Sequence, residues 1–279
     1  MTIRGDTRLI AHIGYPTHTF KAPMVFNPYF EHAGIDAVVV PMGCEAGPFA
    51  AFLKAIFRLT NIVGALITMP HKVSSVALLD ETSAAVKIAG SCNAVRRAAD
   101  GRLQGDLFDG EGFVRGIRRK GFPVQGARAL VVGAGGVGAA IAASLAAGGA
   151  DSLTLFDIQA DAATRLATRL RHHYRHLRVA IGTNDPAGQD LVVNATPLGM
   201  NDGDPLPFDP ARLAPQSFVG EVVMKQEMTP LLKQALARGC RYQVGTDMLF
   251  EQVPAYLEFF GLPGASPETL RALAKISYA

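Results

Sequence analysis

Ala129-Leu-Val-Val-Gly133-Ala-Gly-Gly136-Val-Gly138, followed after a run of small residues by Ser152-Leu-Thr-Leu-Phe-Asp157, is the stretch that decides the fold. A short run of β-forming residues enters a glycine-rich turn. A helix of small residues, Ala139 to Ala147, leaves it, and a second apolar run follows. Strand, glycine turn, helix and strand in this order are the first half of a dinucleotide-binding unit. The physical reasons are local. One glycine permits the tight turn, and another lets the backbone approach a pyrophosphate. Gly138 and the alanines after it let the helix lie close to the sheet. The helix N-terminus then presents N–H groups and the positive end of its dipole to the phosphates. Gly133, Ala134, Gly135, Gly136 and Val137 are therefore the cofactor-binding candidates. Asp157, at the end of the second strand, suits a ribose 2′-hydroxyl and repels a 2′-phosphate. No arginine follows before Arg165, so NAD is preferred, with NADP possible. The alternative for Asp157 is an acidic helix cap beside Asp161.

The rest of the composition narrows the class. The chain has 279 residues, 49% apolar and 18% charged, with a net charge of +3. That small charge argues against a nucleic-acid partner. No apolar run reaches the ~18 residues that span a bilayer, and no signal-like segment opens the chain, so a cytoplasmic, non-membrane protein is expected. Cys44, Cys92 and Cys240 are odd in number and lack metal-ligand spacing, so no metal site is expected. The basic cluster from Arg169 to Arg178, with three histidines, reads as a solvated helix end or else as a metal or anion site.

Upstream, apolar runs at Arg8–Ile13, Ala37–Pro41 and Val63–Thr68 alternate with helical patterns at Met24–Ala33 and Phe49–Leu59. This alternation predicts a parallel sheet. Just past its third strand stands Lys72, at the edge where open sheets bind ligands. Asn93 lies in a small-residue turn, and Asp109 lies between glycines before a helix, Gly112–Arg119. Downstream, helices are expected at 160–174, 229–238, 248–260 and 267–277, and strands at 179–182, 218–224 and 240–245.

These motifs, in this order, resemble the shikimate/quinate dehydrogenase family along nearly the full chain. The matching pieces are Gly14…Pro23, Gly64-x-x-Ile-Thr-x-Pro-x-Lys72, Ala89-Gly-x-x-Asn93, and Gly105…Asp109-Gly-x-Gly-Phe113. Later come the glycine turn at Gly133, Asn194-Ala-Thr-Pro-Leu-Gly-Met200, Thr229-Pro-Leu-Leu232 and Gly245-x-x-Met-Leu-x-x-Gln252. The resemblance implies hydride transfer between a nicotinamide and a ring hydroxyl of shikimate, quinate or a related cyclic hydroxy acid, in aromatic amino acid biosynthesis or a related pathway. It assigns the hydroxyl proton to Lys72, with Asp109 holding Lys72 and the hydroxyl in place. Chemistry agrees, because hydride leaves a carbinol carbon as its O–H proton leaves, and an acceptor must lie within reach. Thr68, Asn93 and Gln252, the last at the start of a C-terminal helix, would bind substrate. Thr196, Val222 and Gly245, with Asn194, would approach the cofactor.

Departures from the family pattern matter as much. Two serines that hold the substrate carboxylate fall at Phe20 and Ala22. An asparagine falls at Leu66, a tyrosine at Met224, and the cofactor loop's Asn-Arg-Thr at Asp157-Ile158-Gln159. A buried carboxylate without donors costs several kcal/mol, more than a neutral amide or hydroxyl would. Either Thr19 or Lys21 supplies a new anchor, or the substrate is not shikimate. The expected architecture is α/β with two domains and a cleft between them. An N-terminal α/β substrate domain (1–106 and 246–279) accompanies a Rossmann-type domain (107–245), with the C-terminal helices returning to the first. The chain is expected to be a monomer or homodimer. The rival readings are a non-catalytic nucleotide-binding sensor and a folate-type dehydrogenase on a similar plan.

Overall fold

The computed structural model describes residues 2–278. Two compact units emerge: Met1–Lys87, Ser91–Phe108 and Gln252–Ser277 form the first, and Asp109–Glu251 with Ile88–Gly90 forms most of the second. The first begins with β1 (Arg8–Gly14), α1 (Ala22–His32), β2 (Ala37–Gly43), α2 (Phe49–Ile56) and β3 (Ile62–Ile67). It continues with β4 (Glu81–Thr82), α3 (Ala84–Ala89), whose last residues fall in the second unit, β5 (Ala94–Arg97) and β6 (Leu103–Asp106). Among the described residues its sheet has the order β2-β1-β3-β5-β6-β4. The β1, β2 and β3 strands are parallel, as the alternation predicts, because a helix crosses between each consecutive pair. The β5 strand runs antiparallel to both β3 and β6, so the sheet is mixed. Asn93 lies in the turn before β5, as expected, but Gly105 and Asp106 end a strand instead of opening a loop, and the hairpin itself is not expected from the sequence. Its strands are four residues each and carry arginine and glutamine where a core strand would carry valine.

In the second unit come α4 (Asp109–Arg119), β7 (Arg128–Val132), α5 (Gly136–Ala147), β8 (Ser152–Phe156), α6 (Ala160–His173) and β9 (Arg178–Ile181). There follow β10 (Leu191–Asn194), β11 (Phe218–Glu221), α7 (Pro230–Ala237) and β12 (Arg241–Gln243). Every strand pair in this sheet is parallel, and the order is β12-β11-β10-β7-β8-β9. From β7 the chain builds outward through β8 and β9, then crosses to the other side for β10 onward. The carboxyl ends of β7 and β10 thus form the topological switch point where such sheets bind ligands. Leu130 and Val132 pack with Val192, Val219, Leu231 and Leu232 on one face.

Helix α8 (Gly245–Phe259) and α9 (Pro267–Leu273) close the chain. From Gln252 onward they belong to the first unit, where α9 packs on α1 and the Lys275 N–H donates to the Met24 carbonyl, 2.9 Å. Three expected boundaries are corrected. The strand expected to run from Phe218 to Met224 stops at Glu221, because the N–H groups of Val222 and Val223 turn onto the Glu221 carboxylate, 2.8 and 3.1 Å. Gly245 opens α8 instead of ending a strand, so Gln252 lies in mid-helix, not at its start. The last helix stops at Leu273, four residues short of Ser277.

Candidate active site

In the second unit the glycine turn has the geometry its sequence required. Gly133 has φ +103°, in the region that disfavours side chains, and a Cβ there would lie 2.7 Å from the Ala195 carbonyl oxygen. The turn after β10 therefore lies directly against the glycine loop. Gly135 precedes α5 with no side-chain cap, and a Cβ on it would meet open space. An uncapped helix N-terminus beside an open backbone at a switch point fits a dinucleotide pyrophosphate. Asp157 follows β8 directly. One carboxylate oxygen accepts the Ala134 N–H, 2.7 Å, and the other the Gln159 N–H, 2.8 Å. So Asp157 also fastens the glycine loop to the end of the second strand. A carboxylate has about four lone-pair sites, so acceptor capacity remains for a ribose.

The turn after β10 is held by a residue the sequence reading missed. Glu221 is fully buried at the end of β11. Its carboxylate accepts from Asn194 Nδ2, 2.9 Å, from Thr229 Oγ1, 3.0 Å, and from the two backbone N–H groups after β11. Burial pushes it up to about 7, against the downward pull of these donors. Asn194 Oδ1 in turn accepts from the Thr196 N–H and hydroxyl, 3.1 and 2.6 Å. Asn194 is thereby committed to the turn itself, and the Thr196 hydroxyl is committed to Asn194. Val222 and Gly245 are brought together, since a Cβ on Gly245 would collide with the Val223 carbonyl and lie 2.9 Å from Val222 C. One signal in the sequence pointed to Glu221: a carboxylate inside an otherwise apolar run, directly before Val222, the residue expected to face the cofactor.

In the first unit, β3 delivers Thr68 and, after Pro70, Lys72. The Lys72 carbonyl accepts the Cys92 N–H, 2.8 Å, so this loop lies beside Asn93. Asn93 is fully buried. Its Oδ1 accepts the Phe108 N–H, 3.0 Å, while its Nδ2 has no hydrogen-bond partner. Tyr256 of α8 reaches the Asn93 carbonyl, 3.5 Å. Gln252 stands one turn earlier on the same helical face and is buried, with Oε1 unpartnered. Two buried polar atoms without partners, one beside the Lys72 loop and one a helical turn before Tyr256, are what a site for a hydroxylated ligand leaves open. The helix expected from Gly112 begins three residues earlier, so Asp109, buried in the second unit, is the first residue of α4 and not part of a turn before it; a carboxylate there also complements the helix dipole. Thr19 Oγ1 donates to the Pro16 carbonyl, 3.2 Å, and the buried Lys21 amine donates to the Ser277 carbonyl, 2.6 Å. Burial lowers Lys21. Both proposed anchors are thus turned onto the chain.

Comparison with known proteins places this geometry. Residues 12–95 match the shikimate dehydrogenase substrate binding domain. A shikimate dehydrogenase (NADP(+)) of Acidiphilium cryptum is 34% identical over 98% of both chains. The chain belongs to the shikimate dehydrogenase family. Membership makes it an NAD(P)-dependent oxidoreductase acting on CH–OH, as the motifs implied. Among solved structures, a quinate dehydrogenase from Corynebacterium glutamicum in complex with NAD is 30% identical with a TM-score of 0.84, covering 96% of this chain and 98% of that one. A 5-ketofructose reductase of Gluconobacter is 26% identical with a TM-score of 0.82, covering 95% and 98%. Among the described residues, no helix is long and apolar enough to cross a membrane.

Proposed function

We propose that this member of the shikimate dehydrogenase family oxidises or reduces at one ring hydroxyl of a small cyclic substrate, with NAD preferred over NADP. The observation that carries the proposal is Lys72 placed past the end of β3 in a loop that lies beside Asn93, whose buried Nδ2 has no hydrogen-bond partner; the buried Gln252 Oε1, one helical turn before the Tyr256 that reaches the Asn93 carbonyl, has none either. When bound, the nicotinamide supplies the acceptor or donor of the hydride. Lys72 takes the hydroxyl proton as the C–H electron pair leaves and C=O forms, and returns it in the reverse direction. Asp109 is proposed as the second catalytic residue, holding Lys72 and the hydroxyl. Thr68, Asn93 and Gln252 bind the remaining hydroxyls. The glycine turn from Gly133 to Val137 holds the pyrophosphate, Asp157 the adenine-side ribose, and Val222 and Gly245 the nicotinamide. Thr196 contributes through its position against Gly133.

The substrate is not expected to be shikimate itself. Phe20, Ala22 and Leu66 offer no donor, and Thr19 and Lys21 are turned onto the chain. The 5-ketofructose reductase is named for a keto sugar, so non-acid substrates belong in the trial. The test is to follow absorbance of the reduced cofactor with shikimate, quinate, related hydroxy acids and 5-ketofructose, each with NAD and NADP. A kcat/KM for shikimate below about 10⁴ M⁻¹s⁻¹ is expected. Lys72→Ala should lower kcat on the best substrate by roughly 10²–10⁴. Tight NAD binding with no turnover of any compound would favour the sensor reading.

A further inference from the structure

His12 lies in the middle of β1, in a stretch that is otherwise apolar, and no motif drew attention to it. The first unit holds two buried histidines that contrast in chemistry. His71 stacks on Phe49, centroids 3.8 Å apart, and its Nε2 bonds to the Cys44 carbonyl, 2.7 Å. That is a settled core histidine. His12 is 7% exposed, and its Nδ1 has no hydrogen-bond partner. An unsatisfied buried polar atom costs about 1–3 kcal/mol, and a strand valine would occupy this place at no such cost.

Two neighbours of His12, Phe20 and Leu66, are positions at which the sequence departs from the family pattern. His12 stacks on Phe20, with centroids 4.1 Å apart and planes at 28°. In the parallel register it pairs with Leu66, so the two side chains stand side by side on one face of the sheet. Lys72 is close enough for its positive charge to act on the imidazole. A polar ring with one open nitrogen is thus set between an aromatic wall, an aliphatic neighbour and the proposed proton acceptor.

We propose that His12 is a substrate-binding residue, and that the group it meets is an uncharged hydrogen-bonding function (an amide, carbonyl or hydroxyl) on the substrate ring, where a carboxylate would be disfavoured. This rests on the reading that the Lys72 side of the first unit is the substrate site. The charge argument fixes the ligand class. Burial, with the Lys72 charge adding to it, pulls His12 down to about 3, so the ring is neutral at working pH. A neutral imidazole brings one N–H and one acceptor nitrogen and no charge. Phe20 and Leu66 bring neither. A carboxylate placed there loses its water and gains one neutral donor and the attraction of Lys72, a charge that is absent whenever Lys72 serves as the proton acceptor, whereas an amide or hydroxyl loses far less on leaving water. The flat face of Phe20 suits a ring edge.

Calorimetric binding of shikimate and of its carboxamide to the full-length protein, with NAD present, tests this. Wild type should bind the carboxamide at least about tenfold tighter than shikimate. His12→Val should lose at least about tenfold in carboxamide affinity with an unchanged or higher melting temperature, and His12→Asn should recover part of the loss. A tenfold change is about 1.4 kcal/mol. Tighter binding of shikimate, no detectable binding of either compound, or full carboxamide affinity in His12→Val or, should that variant not fold, in His12→Phe would each overturn the proposal. Turnover of the same ligands reports separately on the enzymatic reading: binding as described without any cofactor reduction would overturn that reading alone.

Discussion

The Glu221 carboxylate shows how one side chain can set a whole loop. It gathers the Asn194 amide, the Thr229 hydroxyl and two backbone N–H groups, and so ends β11 and shapes the turn against Gly133. Its proton affinity is raised to about 7 by burial. Between its unfolded value of 4.5 and 7, the folded state holds a proton that the unfolded state has lost. Glu221 therefore contributes stability that is full below 4.5 and is lost as pH rises through 7, by up to about 3 kcal/mol. His12 works in the other direction: the unfolded ring gains a proton below 6.5, while the folded ring stays neutral down to about 3. Total stability mixes the two, so a difference is needed. In urea unfolding across pH 4.5 to 7.5, wild type should lose its stability relative to Glu221→Gln as pH rises. A difference that is flat with pH would mean Glu221 is ionised throughout. The same series on His12→Val should show the variant gaining on wild type as pH falls through 6.5.

At the scale of elements, the α/β alternation was legible because apolar runs of five or six residues, cut by Gly and Pro, have few other uses. The glycine turn was legible because close backbone approach leaves few residue choices. What was not legible has physical reasons too. The short β5–β6 hairpin carries charged side chains whose tertiary partners, such as Phe259 under Arg96, are distant in sequence. His12 resembles any strand residue until its partners are known, and Asn194 looks like a ligand contact until Glu221 is seen to hold it. One close approach offers a sharp test. Gly110, in the first turn of α4, lies so close to α5 that a Cβ would collide with the Ala140 carbonyl and the Ser144 hydroxyl. Alanine in place of glycine in a helix usually stabilises by roughly 0.5–1 kcal/mol. Here the sign should invert, because the obstructing atom is backbone. Gly110→Ala is expected to destabilise by about 2 kcal/mol in thermal or urea unfolding. Gly101→Ala, where φ is +90° but no atom lies within 4 Å, tests strain without collision and should cost less. A neutral or stabilising Gly110→Ala would mean the two helices can separate freely.

Across the whole molecule, two units each carry their own sheet, and a ligand that binds one raises the free energy of unfolding that unit. For a single site, free ligand at about 100 times its Kd adds about 2.7 kcal/mol. The contest between NAD and NADP can therefore be decided without any substrate. Asp157 stands at the end of β8, its carboxylate fixed by the Ala134 and Gln159 N–H groups so that it cannot turn away. A 2′-phosphate brought there meets a like charge, and the next arginine in the chain is Arg165, inside α6. The Acidiphilium cryptum relative is named for NADP(+), so membership in the family alone would point the other way. Scanning calorimetry with each dinucleotide at equal concentration should show the larger upward shift with NAD. Asp157→Ser removes the charge while keeping an acceptor for the loop, and should narrow the gap chiefly by raising the shift with NADP. An equal or larger shift with NADP in wild type would show that groups other than Asp157 set the preference, and the charge argument at this position would fail.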